Sequence, residues 1–303
     1  MTASSSRLVV GTDFSETAAV AIDRAVELAQ RLGAELIVAH ALSPQPVAMG
    51  TPSHIMLPPS LDAEVRKAST TRLERIAGEI SGTGVRVRTE LITGSPGQSI
   101  VDLADEVDAG LLVVGTRGLS GLEHLLLGST AETVVRRASC PVLAVHPVDG
   151  APLSDVGKVL VPCELDEDPT AMVEQLTVGL ALEPASTRLV LLYSDHLPFY
   201  LQPLIEDLGI DRVGFDEIED DLKSRLEPTA ARLREKGFTV ETCVREGDPT
   251  GVIIDTARRE GADLIAMETR GRSGLAHFFL GSTAERVVQH ASCPVLTVHR
   301  PAE

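Results

Sequence analysis

Hydrophobic positions along the chain fall into two alternating patterns. Short continuous apolar runs, such as "RLVVGT" at 7–12 and "AELIVAHAL" at 34–42, have the length of strands buried on both faces. Between them lie longer stretches with apolar residues every three or four positions. In "SETAAVAIDRAVELAQRLG" at 15–33, Ala18, Ala21, Ile22, Ala25, Leu28, Ala29 and Leu32 line one side of a helix. Ser15 is placed to cap its first turn, and Gly33 to end it. The same reading predicts a helix over 61–81, a strand at 85–92 and a helix over 96–107 with Pro96 in its first turn. A strand at 109–116, a helix over 128–138 and a last strand at 141–146 follow. Such alternation predicts an α/β fold: an open parallel sheet with helices on both faces.

The plan then repeats. "KVLVPC", "TRLVLLYS", "FTVETCV", "ADLIAME" and "PVLTVH" are the strands of the second half. Gly94-Ser95-Pro96 meets Gly247-Asp248-Pro249 at an offset of 153 residues, and Ser139-Cys140-Pro141-Val142 meets Ser292-Cys293-Pro294-Val295. Between 116–146 and 269–299, 23 of 31 positions are identical, which only a duplication explains. Two homologous domains are expected, 1–148 and 158–303. They are joined by a linker at 149–157 within the Pro-, Gly- and Asp-rich "HPVDGAPLSDVGK".

Charge narrows the choice of partners. The net charge of −17 divides as −5 for residues 1–150 and −12 for the remainder. That balance speaks against nonspecific binding to nucleic acid or to an anionic membrane. The acidic run "DEIEDD" at 216–221 reads as a solvated helix face. No apolar run approaches the roughly 20 residues that span a bilayer, and a cytoplasmic protein is expected. Cys140, Cys163, Cys243 and Cys293 form no CxxC pair, so neither zinc nor a disulfide framework is indicated. His40, His146 and His299 end strands without metal-ligand spacing. His124 and His277 recur at one loop position and read as packing histidines.

In sheets of this kind, ligands bind at the carboxyl ends of the strands. Two loops of the first half stand out. After the first strand comes Gly11-Thr12-Asp13-Phe14-Ser15. After the fourth comes Gly115-Thr116-Arg117-Gly118, then nine residues, then Gly128-Ser129-Thr130 at the start of a helix. The last three residues offer main-chain N–H groups and two hydroxyls at a helix N-terminus, where an anion is favoured. Glycines at 115, 118 and 128 allow close backbone approach. The pattern is neither the Walker loop nor the dinucleotide G-x-G-x-x-G. Asp13 is placed to accept hydrogen bonds from a ribose or base. A simple helix cap would account for Gly128-Ser129-Thr130 alone. The full spaced set with Asp13 favours a phosphate cradle. Arg117 and Arg270 are placed either to touch phosphate or to pair on the surface.

The spaced motif G-x2-G-x9-G-[ST], the Asp13-x-Ser15 after the first strand and Ser139-Cys140-Pro141-Val142 before the last resemble the universal stress protein family. The resemblance covers nearly the whole chain, in tandem. It implies two five-stranded parallel sheets of order 3-2-1-4-5, with the last strands pairing within the chain as a tandem pseudo-dimer, and with homodimers also open. It implies ATP binding through Asp13, Gly115, Gly118, Gly128, Ser129 and Thr130, with adenine at the backbone near His40 and Ala41; Arg117, within the loop, is added as a candidate phosphate contact. Mg²⁺ would accompany ATP through phosphate oxygens rather than a dedicated protein site.

The second half departs from this pattern. Without gaps, Glu164 takes the place of Asp13, although two extra residues in the region make Asp166 an alternative. Glu268 stands where the first copy has Gly115. A carboxylate there opposes a polyphosphate. One ATP per chain is therefore expected, in the first domain. The expected role is a stress-response regulator or protector acting through an unidentified protein partner. No nucleophile–base pair is visible that would argue for an enzyme. A slow ATPase or nucleotidyl-transfer enzyme, or a nucleotide-independent interaction module, are the alternatives.

Overall fold

A computed structural model describes residues 7–43, 59–116, 127–147, 152–153, 156–195, 212–269 and 281–299. These divide into two compact units, with the break between Pro147 and Val148. The first contains β1 (Arg7–Gly11), α1 (Glu16–Leu32), β2 (Glu35–Leu42), α2 (Pro59–Ser81) and β3 (Arg86–Thr93). It continues with α3 (Pro96–Glu106), β4 (Leu111–Gly115), α4 (Ser129–Arg137) and β5 (Val142–Val145). The second contains β6 (Lys158–Pro162), α5 (Thr170–Gly179), β7 (Arg188–Asp195), α6 (Arg212–Glu235) and β8 (Thr239–Glu246). Then come α7 (Pro249–Glu260), β9 (Leu264–Thr269), α8 (Ser282–His290) and β10 (Val295–His299).

The first sheet has the order β3-β2-β1-β4-β5, and the second repeats it as β8-β7-β6-β9-β10. Every pairing within a unit is parallel. The fold is α/β, as the alternation of runs predicts. Its central strands are buried on both faces: Val9, Val10, Leu36, Ile37, Val38, Leu112, Val113 and Val142 through Val145 have almost no exposure. Among the described residues, no helix is long and apolar enough to cross a membrane.

Local signals fix the helix ends. Ser15 caps α1 by accepting a hydrogen bond from the Ala18 amide at 3.2 Å. Gly33 ends it at φ 62°, where its amide reaches the Ala29 and Gln30 carbonyls. Helix α2 begins at Pro59 rather than at 61, so residues 59 and 60 are helical as well. A proline at the start of a helix loses no bond, because its N–H would have no partner there.

Two glycines place the helices on opposite faces. A Cβ on Gly11 would lie 2.8 Å from Ile100 of α3, and one on Gly115 would lie 3.0 Å from Thr17 of α1. Val10 pairs with Val113, so Gly11 lies level with Val114, one residue before Gly115. Successive strand residues point to opposite faces. Helix α1 therefore covers one face, and α3 the other. Strand order reverses at β1, between β2 and β4, which puts the switch point where the sequence places its two ligand loops.

Candidate functional site

The first loop of the site is built by short-range hydrogen bonds. The Thr12 amide donates to the Ala39 carbonyl at 2.9 Å and so extends the β1–β2 ladder by one residue. The Phe14 amide then donates to Thr12 Oγ1, and the Ser15 amide to Asp13 Oδ1, both at 3.0 Å. The chain turns back into α1 through Phe14, which sits at φ 65°. A bulky residue in the left-handed region costs of order 1–3 kcal/mol and persists only where neighbours hold it. Here the neighbours are His40 and Arg72. The Phe14 and His40 ring centroids are 4.3 Å apart, and the Arg72 guanidinium lies 5.3 Å from the Phe14 ring. His40 Nδ1 lies 2.7 Å from the Thr12 carbonyl. A carbonyl only accepts, so Nδ1 carries the proton.

Ala41 gains its significance from where β1 stops. The Ala39 carbonyl faces β1, because it accepts from Thr12. The N–H and C=O of one strand residue point the same way, and alternate residues share a side. The N–H and C=O of Ala41 therefore also face the β1 side, one step past the last β1–β2 bond. Leu42 faces the other way, and its carbonyl accepts from the Gly94 amide at 3.0 Å. Ala41 thus presents a donor and an acceptor side by side, with Asp13 on the neighbouring loop.

The second loop ends at α4. The Gly128 amide donates to the Thr116 carbonyl at 2.9 Å, and the Gly128 carbonyl accepts from Glu132. Gly128 is the N-cap and has no side chain to satisfy the first turn. The amides of Ser129, Thr130 and Ala131 therefore have no acceptor within the helix. Asp13, Ala41, Gly115, Gly128, Ser129 and Thr130 all lie at the carboxyl end of the first sheet. Arg117, Gly118, His124, Arg270 and His277 lie outside the described residues. At Gly115 the missing side chain has a packing cause. A Cβ there would press on Thr17, 3.0 Å from Cγ2 and 3.3 Å from the carbonyl oxygen. It is the first turn of α1 that crowds this position.

The second unit shows the same positions filled. The Cys163 amide donates to the Leu192 carbonyl at 2.9 Å, as Thr12 does to Ala39. Glu164 therefore occupies the place of Asp13. The loop from β6 to α5 has seven residues, where the loop from β1 to α1 has four. Asp168 organises the longer loop. It accepts from the Thr170 amide at 3.1 Å and from its hydroxyl at 2.6 Å, and pairs with Arg232 of α6 at 3.2 Å. Burial opposes its ionisation, but the bonds from Thr170 and Arg232 outweigh that and hold the carboxyl below its usual range. Tyr193 stands where the first unit has His40. Together with Cys163 and Leu165 it packs on Leu222, Leu226 and Val244. Burial, then Asp195 and Glu164, raise the Tyr193 phenol.

Burial, followed by Glu164 and Glu167, pushes the Cys163 thiol up to about 12. The thiolate is the reactive form. At pH 8, iodoacetamide should label Cys163 in the folded protein roughly a thousandfold more slowly than an unfolded thiol. Peptide mass spectrometry in native buffer and in denaturant gives the comparison. Labelling of the folded chain at the unfolded rate would contradict the packing described.

Sequence reading did not find the Phe14–His40–Arg72 stack. Phe14 carried a usable signal, as a large residue in a tight turn after Asp13. Arg72 lies far along the chain on an exposed helix face and carries none.

What the fold and loops define is a tandem of doubly wound α/β domains, with a loop-built site at the strand ends of the first. The model of the Universal stress protein family matches residues 5–146 and again 156–299. The chain belongs to that family, as a two-domain member. A universal stress protein of Mycolicibacterium smegmatis is 26% identical over 298 residues, covering 96% of each chain. One of Mycobacterium tuberculosis is 28% identical over 300 residues, covering 97% of this chain and 96% of the relative. The crystal structure of a universal stress protein from Archaeoglobus fulgidus superimposes with a TM-score of 0.70 over 98% of this chain and all of that one. At 19% identity that likeness concerns the fold alone.

Proposed function

We propose that the first unit binds ATP and that the protein is a cytoplasmic stress-response regulator or protector acting through a protein partner. The phosphates lie against the N-terminus of α4 and the loop from Gly115 to Gly128, with Arg117 and Gly118 within it. The adenine edge meets the N–H and C=O of Ala41, and Asp13 receives the ribose. Among the described residues, no group of three His, Cys, Asp or Glu side chains is placed to hold a metal ion. A Mg²⁺ ion would accompany ATP through the phosphate oxygens.

One contrast carries the reading. At equivalent positions the first unit has Asp13, His40 and Gly115, whereas the second has Glu164, Tyr193 and Glu268, with Tyr193 packed beside Cys163 and Leu165 on Leu222, Leu226 and Val244. Both units keep an uncapped helix N-terminus, at Gly128 and Gly281, so the carboxylate at 268 and the packed Tyr193 are what set the second apart. Binding acts on the partner by favouring one conformation over another, in proportion to its differential affinity. Calorimetric titration of the intact chain with ATP is expected to give a stoichiometry near one. A value near two would remove the distinction between the units, and no heat of binding would remove the reading itself. Turnover of more than a few ATP per minute would favour an enzyme instead.

A further inference from the structure

Strand β3 ends the order of the first sheet, and among the described residues no strand pairs with its outer side. An edge of this kind presents a row of main-chain groups that can pair with another chain. The bonds to β2 fix which groups those are. The Gly94 amide donates to the Leu42 carbonyl, so position 94 turns its main chain toward β2. Alternate residues share a side, so Arg86, Arg88, Glu90 and Ile92 turn theirs to β2 as well. The N–H and C=O groups of Val87, Thr89 and Leu91 therefore face outward.

The side chains along this edge carry both signs of charge. Arg88 and Glu90 pair on one face of the sheet, and Arg88 also lies 3.6 Å from Glu35. Their side chains are 40% and 36% exposed, which lets both reach past the edge. Two β3 strands can meet antiparallel about a two-fold axis at Thr89. Thr89 then faces its own copy and Val87 faces Leu91, as hydrogen-bonded pairs. Arg88 of each copy stands opposite Glu90 of the other, in the non-bonded positions where side chains come closest. An axis at Arg88 or at Glu90 sets that residue against itself. An axis at Val87 sets Arg86 against Arg88, and one at Leu91 sets Glu90 against Ile92. Among these registers, only that at Thr89 sets both members of the Arg88–Glu90 pair against their opposites. Helix α2 leaves room for the approach. It sends Arg66 to Thr93 of β3 at 3.1 Å and Arg72 the other way, to Phe14. Ala63, Thr70 and Ala77 fall beside Arg66 around the helix, so its flank nearest the edge is small.

We infer that β3 is a docking surface for a second copy of this chain. The first sheets of two copies join edge to edge by strand addition, with Arg88 and Glu90 setting the register. The contact is separate from the strand-end site and needs no nucleotide, so it stands whether or not ATP binds.

Sedimentation of the intact chain without nucleotide, over a range of concentrations, should show a monomer–dimer equilibrium. Arg88→Glu or Glu90→Arg alone should weaken the dimer about tenfold or more, because each turns two facing pairs from attraction to repulsion. Chains with the first change present two glutamates, and chains with the second two arginines. An equimolar mixture should therefore regain about the parental affinity, which an unfolded variant could not do. Thr89→Pro removes an outward N–H and no bond to β2, and should abolish the dimer. A parent that stays monomeric at the highest concentration overturns the inference. So does a single variant, or the proline variant, that dimerises as the parent does, and so does a mixture that stays monomeric.

Discussion

Replacing Gly115 with glutamate is expected to abolish ATP binding and to lower the stability of the first unit by about 2 kcal/mol. The two losses have separate causes. Any side chain at 115 drives into the first turn of α1, where Thr17 Cγ2 stands 3.0 Å from the new Cβ and the Thr17 carbonyl 3.3 Å away. Overpacking of that kind typically costs 1–3 kcal/mol. The carboxylate adds repulsion toward a polyphosphate in a site where water is scarce. Gly115→Ala isolates the first effect. Paired with Thr17→Ser, which removes Cγ2 but leaves the carbonyl contact, it should recover part of the stability. Denaturant melts and ATP titrations on the three variants make the test. A glutamate variant that binds ATP at parental affinity would show that position 115 stands clear of the ligand.

The second large effect lies on the opposite face. Gly97→Val should cost about 2–3 kcal/mol, because its Cβ would sit 2.5 Å from Thr133 Cβ and 2.8 Å from Thr133 Cγ2. Helices α3 and α4 touch there without any room to adjust. Thr133→Ala should rescue little, since it leaves the shorter contact in place, whereas Thr133→Gly clears both. The shift should also tilt the helix whose N-terminus is the proposed phosphate seat, so ATP affinity should fall along with stability. Urea unfolding of the single and double variants measures the coupling. Additive losses for Gly97→Val and Thr133→Gly would show that the two residues are not in contact. At the equivalent positions the second unit has Thr250 and Arg286.

Much of the fold was legible because parallel strands and amphipathic helices write strong periodic signals. The run "LLVVG" admits little but a buried strand, and Ser15 and Gly33 mark the ends of α1 in the residues themselves. The start of α2 was misjudged by two residues because Pro59 is as much at home in a loop as in a first helical turn. The helix start at Gly128-Ser129-Thr130 was legible because a glycine followed by two hydroxyl residues marks an N-terminus in the chain itself. Groups that depend on the meeting of distant elements were not. Nothing local marks Arg72 as the partner of Phe14. Glu268 was legible as a change of charge, but the packing reason for Gly115 needed the position of α1.

The seven-residue loop between β6 and α5 has a consequence for how such duplicated chains age. A point change is readily reversed by another point change, so Glu268 taken alone would leave the second copy one step from its ancestor. A longer loop is different. Asp168 now anchors it to Thr170 and Arg232, and Tyr193 and Leu165 have settled into the core beside it. Reversion would need a deletion together with several side-chain changes, and the intermediates would each carry an exposed plug or a broken anchor. The difference between the two copies therefore behaves as a ratchet. Once the loop had lengthened and the plug had packed, drift could deepen the difference between the halves far more easily than erase it.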